Sequence, residues 1–305
     1  MALSKDEEEK YFLAGKIASR AVEFAREKIS PGIRLLDLAN EIEGKIAELG
    51  GGLAFPANLS QNNEAAHYTP SPGDGRALGE RDLIKVDMGV HVDGFIADCA
   101  FSYSADPANG KLIAASLEAL NAAVEKIRPG VKSGEVGEVI WEIIKSHGFV
   151  PVSNLCGHSL GSYEVHGGIE VPNVPRGNYE FREGDVFAIE PFASTGQGVV
   201  GETSVCEIYS LSGGKSRLDS SRRLQDFAAG RFNSLPFARR HIPQEILSES
   251  MAHVALRDLV RCGGLHSYPV LAERAGTMVS QAETTIVIKG GRAVPTVGAT
   301  LKHGL

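Results

Sequence analysis

The chain has 305 residues, of which 43% are hydrophobic and 23% charged, and its formal net charge at pH 7 is −7. This is the composition of a soluble globular protein with a substantial core, and no run approaches the roughly 18 apolar residues of a membrane span. The acidic balance disfavours binding to DNA, and the acidic N-terminus is unlike a secretory signal, so we expect a cytoplasmic protein.

Two helices and a β-hairpin are predicted for the first hundred residues. Apolar side chains recur with helical spacing over residues 6–29, and a second helix follows over about 35–49. A loop rich in Asn, Pro and Gly comes next. The hairpin then occupies residues 83–98, where apolar and polar residues alternate.

The same order of elements recurs after residue 109. Helices are predicted from Asn109 to Ile127 and over about 134–147, and strand-like segments follow around 149–156, 185–192 and 203–210. The repeat predicts two similar α+β halves that pack around a shared site.

Residues 211–267 interrupt this pattern. They contain helices around 219–231 and 243–263, after which an extended apolar pattern returns at Tyr268 and a final strand spans 277–288. We interpret the interruption as an insertion between two strands of one domain. The residues from about Gly290 onward are predicted to be partly loose.

The hairpin supplies two carboxylates that point from one face of the sheet. Asp93-Gly94 is a strong type I′ turn signal because both residues readily take positive φ. With these residues as the loop, Gly89 pairs with Asp98, and Asp87 becomes a diagonal neighbour of Asp98. A diagonal of roughly 7–8 Å suits carboxylates that converge on two ions about 3.5–4 Å apart. A solvent-facing role is disfavoured because the strands are largely apolar.

Three further residues that can bind metal occur in or beside apolar runs. These are His158, which follows Gly157, Glu190, which precedes Pro191, and Glu283. Each glutamate alone could instead pair with an arginine or the backbone. Together with the two aspartates, however, they make four carboxylates that would repel one another without cations. The imidazole among carboxylates suits Co, Mn, Fe or Zn, and the sequence does not choose among these metals.

Two histidines and two cysteines have alternative roles. His67 and His166 are candidates for hydrogen-bond donors beside the metals, with a surface or capping role as the alternative. Cys99 and Cys156 lie close to the predicted ligands, so thiol ligation is an alternative. The scattered spacing of the cysteines favours reduced packing residues.

Many short motifs, in order from about residue 8 to 288, resemble the methionyl aminopeptidase family. The metal motifs of that family are matched by Asp87-x10-Asp98, Gly157-His158, Ile189-Glu190-Pro191-Phe192 and Gln281-x-Glu283. Its type II branch, in the short archaeal form, is matched by the segments 54–60, 66–70 and 234–240 and by the eight-residue step from His158 to His166.

The resemblance implies a fold and an activity. The fold is the α+β, pseudo-symmetric, two-half pita-bread (creatinase/aminopeptidase-like) fold, with a catalytic domain formed by residues 1–206 and 269–305 and a helical insertion at 207–268. The activity is metal-dependent removal of the initiator methionine from nascent proteins and peptides, with a hydroxide that bridges two divalent ions as the nucleophile. The family also implies a monomer.

The family's roles can be carried over residue by residue. One ion would be bound by Asp87, Asp98 and Glu283, and the other by Asp98, His158, Glu190 and Glu283. Glu190 would pass a proton to the leaving amine, His166 would stabilise the oxyanion, and His67 would hold the scissile amide. The methionine pocket would be lined by Phe55, Val165, Ile208, Pro236, Phe237 and Tyr268.

The sequence departs from the family pattern at three positions. Ala282 and Thr284 stand beside the last ligand, where relatives commonly have an aromatic residue and a histidine. Neither is an expected ligand, so we expect activity to be retained with altered packing around the metals. Ile208 replaces the histidine of some relatives, which leaves its pocket role open.

Two rival functions are considered. A proline dipeptidase resembles this catalytic half but carries a large additional N-terminal domain, for which we expect no room. A non-catalytic ribosome or RNA adaptor on the same fold would lose metal ligands, and all five are present here. Transient ribosome contact is a separate hypothesis, based on basic residues of the insertion: Lys215, Arg217, Arg222, Arg223, Arg231, Arg239 and Arg240.

Overall fold

The computed structural model of the protein describes residues 3–301. Its helices are α1 (Lys5–Lys28), α2 (Leu35–Glu48), α3 (Gly110–Lys126), α4 (Ser133–Ser146), α5 (Asp219–Phe232) and α6 (Glu249–Arg261). Its strands are β1 (Gly52–Gln61), β2 (Glu64–Ala66), β3 (Leu83–Val92), β4 (Phe95–Ser104), β5 (Val150–Pro151), β6 (Cys156–Ser159), β7 (Glu170–Pro172), β8 (Val186–Ile189), β9 (Phe192–Ser194), β10 (Gly201–Leu211), β11 (Phe237–Ala238), β12 (Leu265–Ala272), β13 (Val279–Gln281), β14 (Glu283–Lys289) and β15 (Arg292–Pro295). No helix in this described range is both long and apolar enough to cross a membrane.

One sheet runs through both halves of the molecule. It has eight strands in the order β1-β3-β4-β14-β8-β6-β7, with β15 also paired to β14. Strand β14, near the end of the chain, lies between β4 of the first half and β8 of the second. Two smaller sheets, β11-β10-β12-β2 and β13-β9-β5, complete the strand pairing. The predicted two-half α+β fold is confirmed.

The helices cover only one face of the main sheet. Helices α1 and α2 pack on β1, β3 and β4, while α3 and α4 pack on each other and on strands of the second half. The strand residues beneath the helices have one parity: Val86, Met88 and Val90 on β3, Ala97, Cys99 and Phe101 on β4, Phe187 and Ile189 on β8, and Ile286 and Ile288 on β14. Because successive strand residues alternate between faces, the residues between them project away from the helices.

The predicted hairpin register is confirmed. Val92 pairs with Phe95 and Gly89 pairs with Asp98, and Asp93-Gly94 forms the two-residue loop. The φ angles of Asp93 and Gly94 are 50° and 89°, as a type I′ turn requires.

Three predictions of local structure are wrong. The segment before the hairpin is not a loop throughout, because β1 pairs along β3 and β2 pairs with β12. Strand β1 was not predicted because Pro56 and Asn58 are residue types that are rare in strands. The proline is tolerated because it lies at a bulge on an edge strand. The segment after Gly290 is not loose as far as Leu301, since β15 pairs with β14 and a 3-10 turn follows, while residues 302–305 of that prediction lie outside the described residues. Helix α6 begins at Glu249, several residues later than predicted.

The segment predicted to be an insertion contains α5, β11 and α6 between two paired strands. Strands β10 and β12 are antiparallel neighbours, and Cys206 is opposite Pro269. The two predicted domain boundaries therefore fall side by side within one strand pair. The division at residues 207 and 268 remains a prediction.

Gly157 allows β6 and β8 to approach closely beside His158. A Cβ atom at Gly157 would lie 2.4 Å from the carbonyl oxygen of Ala188. We therefore expect Gly157→Ala to lower the free energy of unfolding by about 1–3 kcal/mol in urea titrations.

The matched control is Gly44→Ala. Gly44 is on α2, and its Cβ would meet no atom within 4 Å. An alanine there should stabilise the protein by about 0.5–1 kcal/mol. Equal effects of the two substitutions would contradict the close packing at Gly157.

Candidate metal centre and substrate cavity

The five predicted ligands lie on five neighbouring strands of the main sheet. In sheet order they are Asp87 on β3, Asp98 on β4, Glu283 on β14, Glu190 directly after β8, and His158 on β6. Asp87 and Glu283 are nearly two hundred positions apart in the sequence, and strand pairing brings them together.

The pairing register puts the first three carboxylates on one face. Ala100 of β4 is opposite Asp87 on one side and Glu283 on the other. Asp98 lies two residues from Ala100, so it shares that face. This is the face without helices.

The same argument places the other two ligands on this face. Ala188 of β8 is opposite His158 and also opposite Thr285. Glu190 is two residues from Ala188, and Glu283 is two residues from Thr285. All five ligands therefore project to the same side of one sheet.

The ligand atoms are close, but the imidazole makes no direct hydrogen bond to the carboxylates. Nε2 of His158 lies 3.7 Å from Asp98 Oδ2 and 3.6 Å from Glu190 Oε1. One ligand atom from each of Asp98, His158 and Glu283 lies within 4.8 Å of the others. Donors that each lie about 2.0–2.2 Å from one shared ion have separations of this size. The donor set therefore fits a divalent cation.

The carboxylates are electrostatically strained without a cation. Burial raises the pKa of Asp87 to about 7. Burial, together with the charges of the neighbouring carboxylates, raises the pKa values of Asp98, Glu190 and Glu283 well above their usual range. Burial lowers the pKa of His158 to about 3, so its imidazole is neutral at pH 7, as a metal ligand must be.

Gln281, the first residue of the motif Gln281-x-Glu283, is a site residue to which no role was assigned from the sequence. Its Nε2 donates to Glu283 Oε2 at 3.1 Å and lies 3.5 Å from Asp87 Oδ2, so it orients two of the ligands. Among the residues that the structure describes, Asp87 Oδ1 is buried without a hydrogen-bond partner. A buried acceptor without a donor is the expected state of an oxygen that binds a cation. The spacing of two residues between Gln281 and Glu283 was the available signal.

The residues around the last ligand support it from β14. The hydroxyl of Thr285 donates to the Asp98 carbonyl at 2.9 Å and accepts from the Asp98 amide at 2.7 Å. Thr284 is buried and donates to the carbonyl of Val297. Ala282 is buried in the core beneath α3 and α4. The two departures from the family pattern are thus packed on the helix side, away from the ligands.

A cavity of about 360 Å³ opens over the ligand cluster. Of the residues predicted to line the methionine pocket, the cavity is lined by Phe55, Val165, Ile208, Pro236 and Tyr268. These side chains make an apolar wall beside the carboxylates. Phe55 can pack closely against β3 because Gly89 has no side chain, and a Cβ there would be 2.3 Å from the Phe55 ring.

Phe237 is the exception among the predicted pocket residues. It does not line the cavity, because its fully buried ring packs in the core of the inserted segment, stacked on Phe232 at 5.3 Å. Strand alternation sends the neighbouring Pro236 to the cavity and Phe237 to the other side.

His67 and His166 both line the cavity. The ring of His166 lies 4.6 Å from that of His158 and is exposed, so a ligand in the cavity can reach it. Nδ1 of His67 lies 3.1 Å from the carbonyl oxygen of Pro269, which can only accept. Nδ1 therefore carries the proton. Burial lowers the pKa of His67 to about 4, so at pH 7 the neutral ring has an acceptor at Nε2, and the role of His67 toward a substrate remains a prediction.

Two further residues belong to the site: Asn58, from the segment 54–60, and Cys156, whose thiol was an alternative ligand. Asn58 lines the cavity and is opposite Asp87, but its strand was predicted to be a loop. Cys156 also lines the cavity. Cys99 faces the helix core, where its thiol donates to the carbonyl of Met88, so it points away from the ligand cluster.

Two of the predicted basic surface residues point inward. Arg239 forms ion pairs with Glu207 and Glu249, and Arg240 forms a buried ion pair with Glu43. These arginines connect elements of the structure. The basic face predicted for the insertion is correspondingly smaller.

Comparisons with known proteins identify a family and a fold for this chain. The model of metallopeptidase family M24 matches residues 9–216. A methionine aminopeptidase of Pyrococcus horikoshii is 44% identical over 284 residues, which cover 92% of this chain and 96% of the relative. A solved methionine aminopeptidase from Thermotoga maritima has a TM-score of 0.71 and 21% identity, covering 97% of this chain and 98% of that one. A solved thermophilic Arx1 has a TM-score of 0.86 at 17% identity, covering 97% and 91%, and this shows the fold alone.

The raised carboxylate pKa values predict how stability depends on pH without metal. Unfolded carboxylates lose their protons near pH 4, whereas the native cluster keeps protons to about pH 7 at Asp87. Between about pH 4 and pH 7 the native state therefore binds more protons than the unfolded state. The free energy of unfolding then falls as the pH rises through this range. We expect the melting temperature in EDTA to drop by several degrees between pH 5 and 7.5. Added Mn²⁺ at pH 7.5 should restore it.

Two variants test whether the pH dependence of the melting temperature comes from the ligand cluster. Asp98→Asn should weaken both the pH dependence and the response to Mn²⁺, whereas Glu125→Gln, at an exposed position of α3, should change neither. A metal-free melting temperature that stays level or rises between pH 5 and 7.5 would contradict the electrostatic description.

Proposed function

The chain belongs to metallopeptidase family M24, and from this we infer that it is a metal-dependent methionine aminopeptidase, which removes the N-terminal methionine of proteins and peptides. The observation that carries the inference is the ligand cluster of four carboxylates and one imidazole beneath an apolar cavity. The groups that can bind metal therefore lie beside a pocket that can hold a long apolar side chain.

We propose that the cluster binds two divalent ions. One would be held by Asp87, Asp98 and Glu283, and the other by Asp98, His158, Glu190 and Glu283. Four carboxylates can neutralise two dications, and the mixed oxygen and imidazole set accepts Co, Mn, Fe or Zn. The bound ions would polarise the substrate carbonyl and lower the pKa of a water molecule toward neutrality.

His67 and His166 would hold the two ends of the scissile amide. Neutral His67 presents an acceptor at Nε2, which suits the N–H group of the amide. His166 can present a donor to the carbonyl oxygen, where negative charge develops during the attack. One such donor is worth about 3–4 kcal/mol of the barrier.

Glu190 would carry the proton. Burial raises the pKa of its carboxyl group, so a proton on Glu190 is not lost at once to solvent at neutral pH. Glu190 directly follows β8, belongs to the ligand cluster and lines the cavity. From there it can pass the proton to the amine that leaves.

The methionine side chain would occupy the apolar wall of the cavity. Phe55, Val165, Ile208, Pro236 and Tyr268 supply this wall, and Ile208 offers a purely apolar surface. The volume of about 360 Å³ accommodates a methionine together with the first atoms of the next residue.

We propose that the protein acts as a monomer in the cytoplasm and that its partners are the N-termini of nascent proteins. Transient ribosome contact through the insertion remains a hypothesis, and it rests on fewer basic residues because Arg239 and Arg240 are engaged within the protein. The boundaries of the insertion at residues 207 and 268 are likewise proposed.

Hydrolysis of the peptide Met-Ala-Ser tests the proposed function. We expect the protein to release methionine after loading with Co²⁺, Mn²⁺, Fe²⁺ or Zn²⁺ and to be inactive in EDTA. Asp98→Asn should lose at least about 10³-fold in kcat, because a ligand shared by both ions is lost. Glu125→Gln is the surface control and should retain full activity.

Two outcomes would overturn the proposed function. Cleavage of Xaa-Pro dipeptides without cleavage of Met-Ala-Ser would identify a proline dipeptidase. Failure to cleave either substrate after confirmed metal uptake would favour a binding protein.

A further inference from the structure

A single buried carboxylate, Glu43, joins the inserted segment to strand β1 of the main sheet. Glu43 is on α2, and it accepts hydrogen bonds from the guanidinium of Arg240 and from Nε2 of His241 at 3.0 Å. Both partners lie in the 3-10 turn that follows β11. The side chains of Glu43 and Arg240 are only 10% and 5% exposed. Removal of either partner would leave a buried charge uncompensated.

Glu43 also supports a β-bulge in the pocket wall. Between the paired positions 55 and 58, β1 has two residues, Pro56 and Ala57, opposite one residue of β3. The amide of Ala57 donates to Glu43 Oε1 at 3.0 Å. The hydroxyl of Thr69 donates to the carbonyl of Ala57 at 2.7 Å. The backbone groups at the bulge thus find partners in the network around Glu43.

Arg240 extends the network to the segment that carries His67. Its guanidinium donates to Thr69 Oγ1 at 2.5 Å and to the carbonyl of Pro70 at 3.2 Å. Thr69 is two residues after His67. One guanidinium therefore connects Glu43, the bulge and the His67 segment.

His241 connects the network to the opposite wall of the cavity. Its Nδ1 accepts from the amide of Ala238 at 3.3 Å, while its Nε2 donates to Glu43. Ala238 is opposite Ile208 in the sheet and lies two residues after Pro236. Ile208 and Pro236 both line the cavity.

The Glu43 carboxyl group is ionised at neutral pH. Burial alone would raise the pKa of Glu43, but the hydrogen bond from His241 and the positive charge of Arg240 outweigh burial and lower it. The carboxylate therefore keeps its charge while both walls of the cavity are held against it.

We propose that Glu43 is a positioning residue that sets the width of the methionine pocket, because it fixes the wall formed by Phe55 and the wall formed by Pro236 and Ile208 at once. The proposal rests on the proposed function. Glu43 touches neither the substrate nor the metal ligands, so it acts through the walls alone.

The test compares Glu43→Gln and Arg240→Lys with wild type on Met-Ala-Ser and Leu-Ala-Ser, at saturating Mn²⁺ and well below the melting temperature. We expect KM for the methionine peptide to rise about tenfold, equivalent to about 1.4 kcal/mol of binding free energy. The preference for methionine over leucine in kcat/KM should fall by about the same factor, because a looser pocket distinguishes the two side chains less well. Uptake of Mn²⁺ should equal that of wild type.

Arg239→Lys is the matched control. Arg239 is the neighbouring arginine and also pairs with carboxylates, but its partners, Glu207 and Glu249, belong to the same inserted segment. We expect this variant to keep the KM and the selectivity of wild type.

A purely structural role of Glu43 has a different signature. Partial unfolding lowers the concentration of active enzyme, so it would lower kcat equally for both peptides and leave KM and selectivity unchanged. That result for Glu43→Gln and Arg240→Lys would overturn the proposal. If Glu43→Gln does not fold, Arg240→Lys decides, because it keeps the charge and loses only the guanidinium fork. Wild type that releases no methionine would overturn the proposed function itself, independently of the variants.

Discussion

The mutual repulsion of four carboxylates on one face of a buried sheet is the constraint that organises this protein. Each carboxylate is costly to bury, and each raises the cost of ionising the next. Two divalent ions would remove this cost, whereas the hydrogen bonds found within residues 3–301 do not. Gln281 donates to two of the oxygens, yet Asp87 Oδ1 still has no donor among the described residues. The site is therefore built for cations.

In this fold, one face of the main sheet forms the core and the other face carries the ligands. The helices cover the face formed by apolar residues such as Val86 and Ile189, and the ligands occupy the other face. Strand β14 joins the halves, because it lies between β4 and β8 and carries Glu283. The double hydrogen bond between Thr285 and Asp98 fixes that junction at the site itself. Ligands from both halves can then meet within 4.8 Å.

Much of this arrangement could be predicted from local sequence patterns. The hairpin register followed from Asp93-Gly94 and from strand alternation, and it placed Asp87 and Asp98 on one face correctly. The helices followed from apolar periodicity. These features depend on residues that are close in the chain, where turn preferences and side-chain periodicity largely determine the local structure.

The features that could not be predicted depend on distant residues. Strand β1 was missed because its bulge at Pro56 is stabilised by Glu43 and Thr69, which no local pattern reveals. The inward direction of Arg239 and Arg240 depends on carboxylates elsewhere in the chain. Phe237 was assigned to the pocket by resemblance, but the alternation of β11 turns its ring into the core of the inserted segment. The tautomer of His67 depends on a carbonyl about two hundred residues away.

The central claim is that this cluster binds a pair of cations. Anomalous diffraction at the manganese edge, from crystals of the full chain grown with Mn²⁺, tests it most directly. We expect two peaks about 3.5–4 Å apart between the carboxylates of Asp98 and Glu283. Well-ordered density without an anomalous peak at the cluster, in crystals grown with excess Mn²⁺, would contradict it.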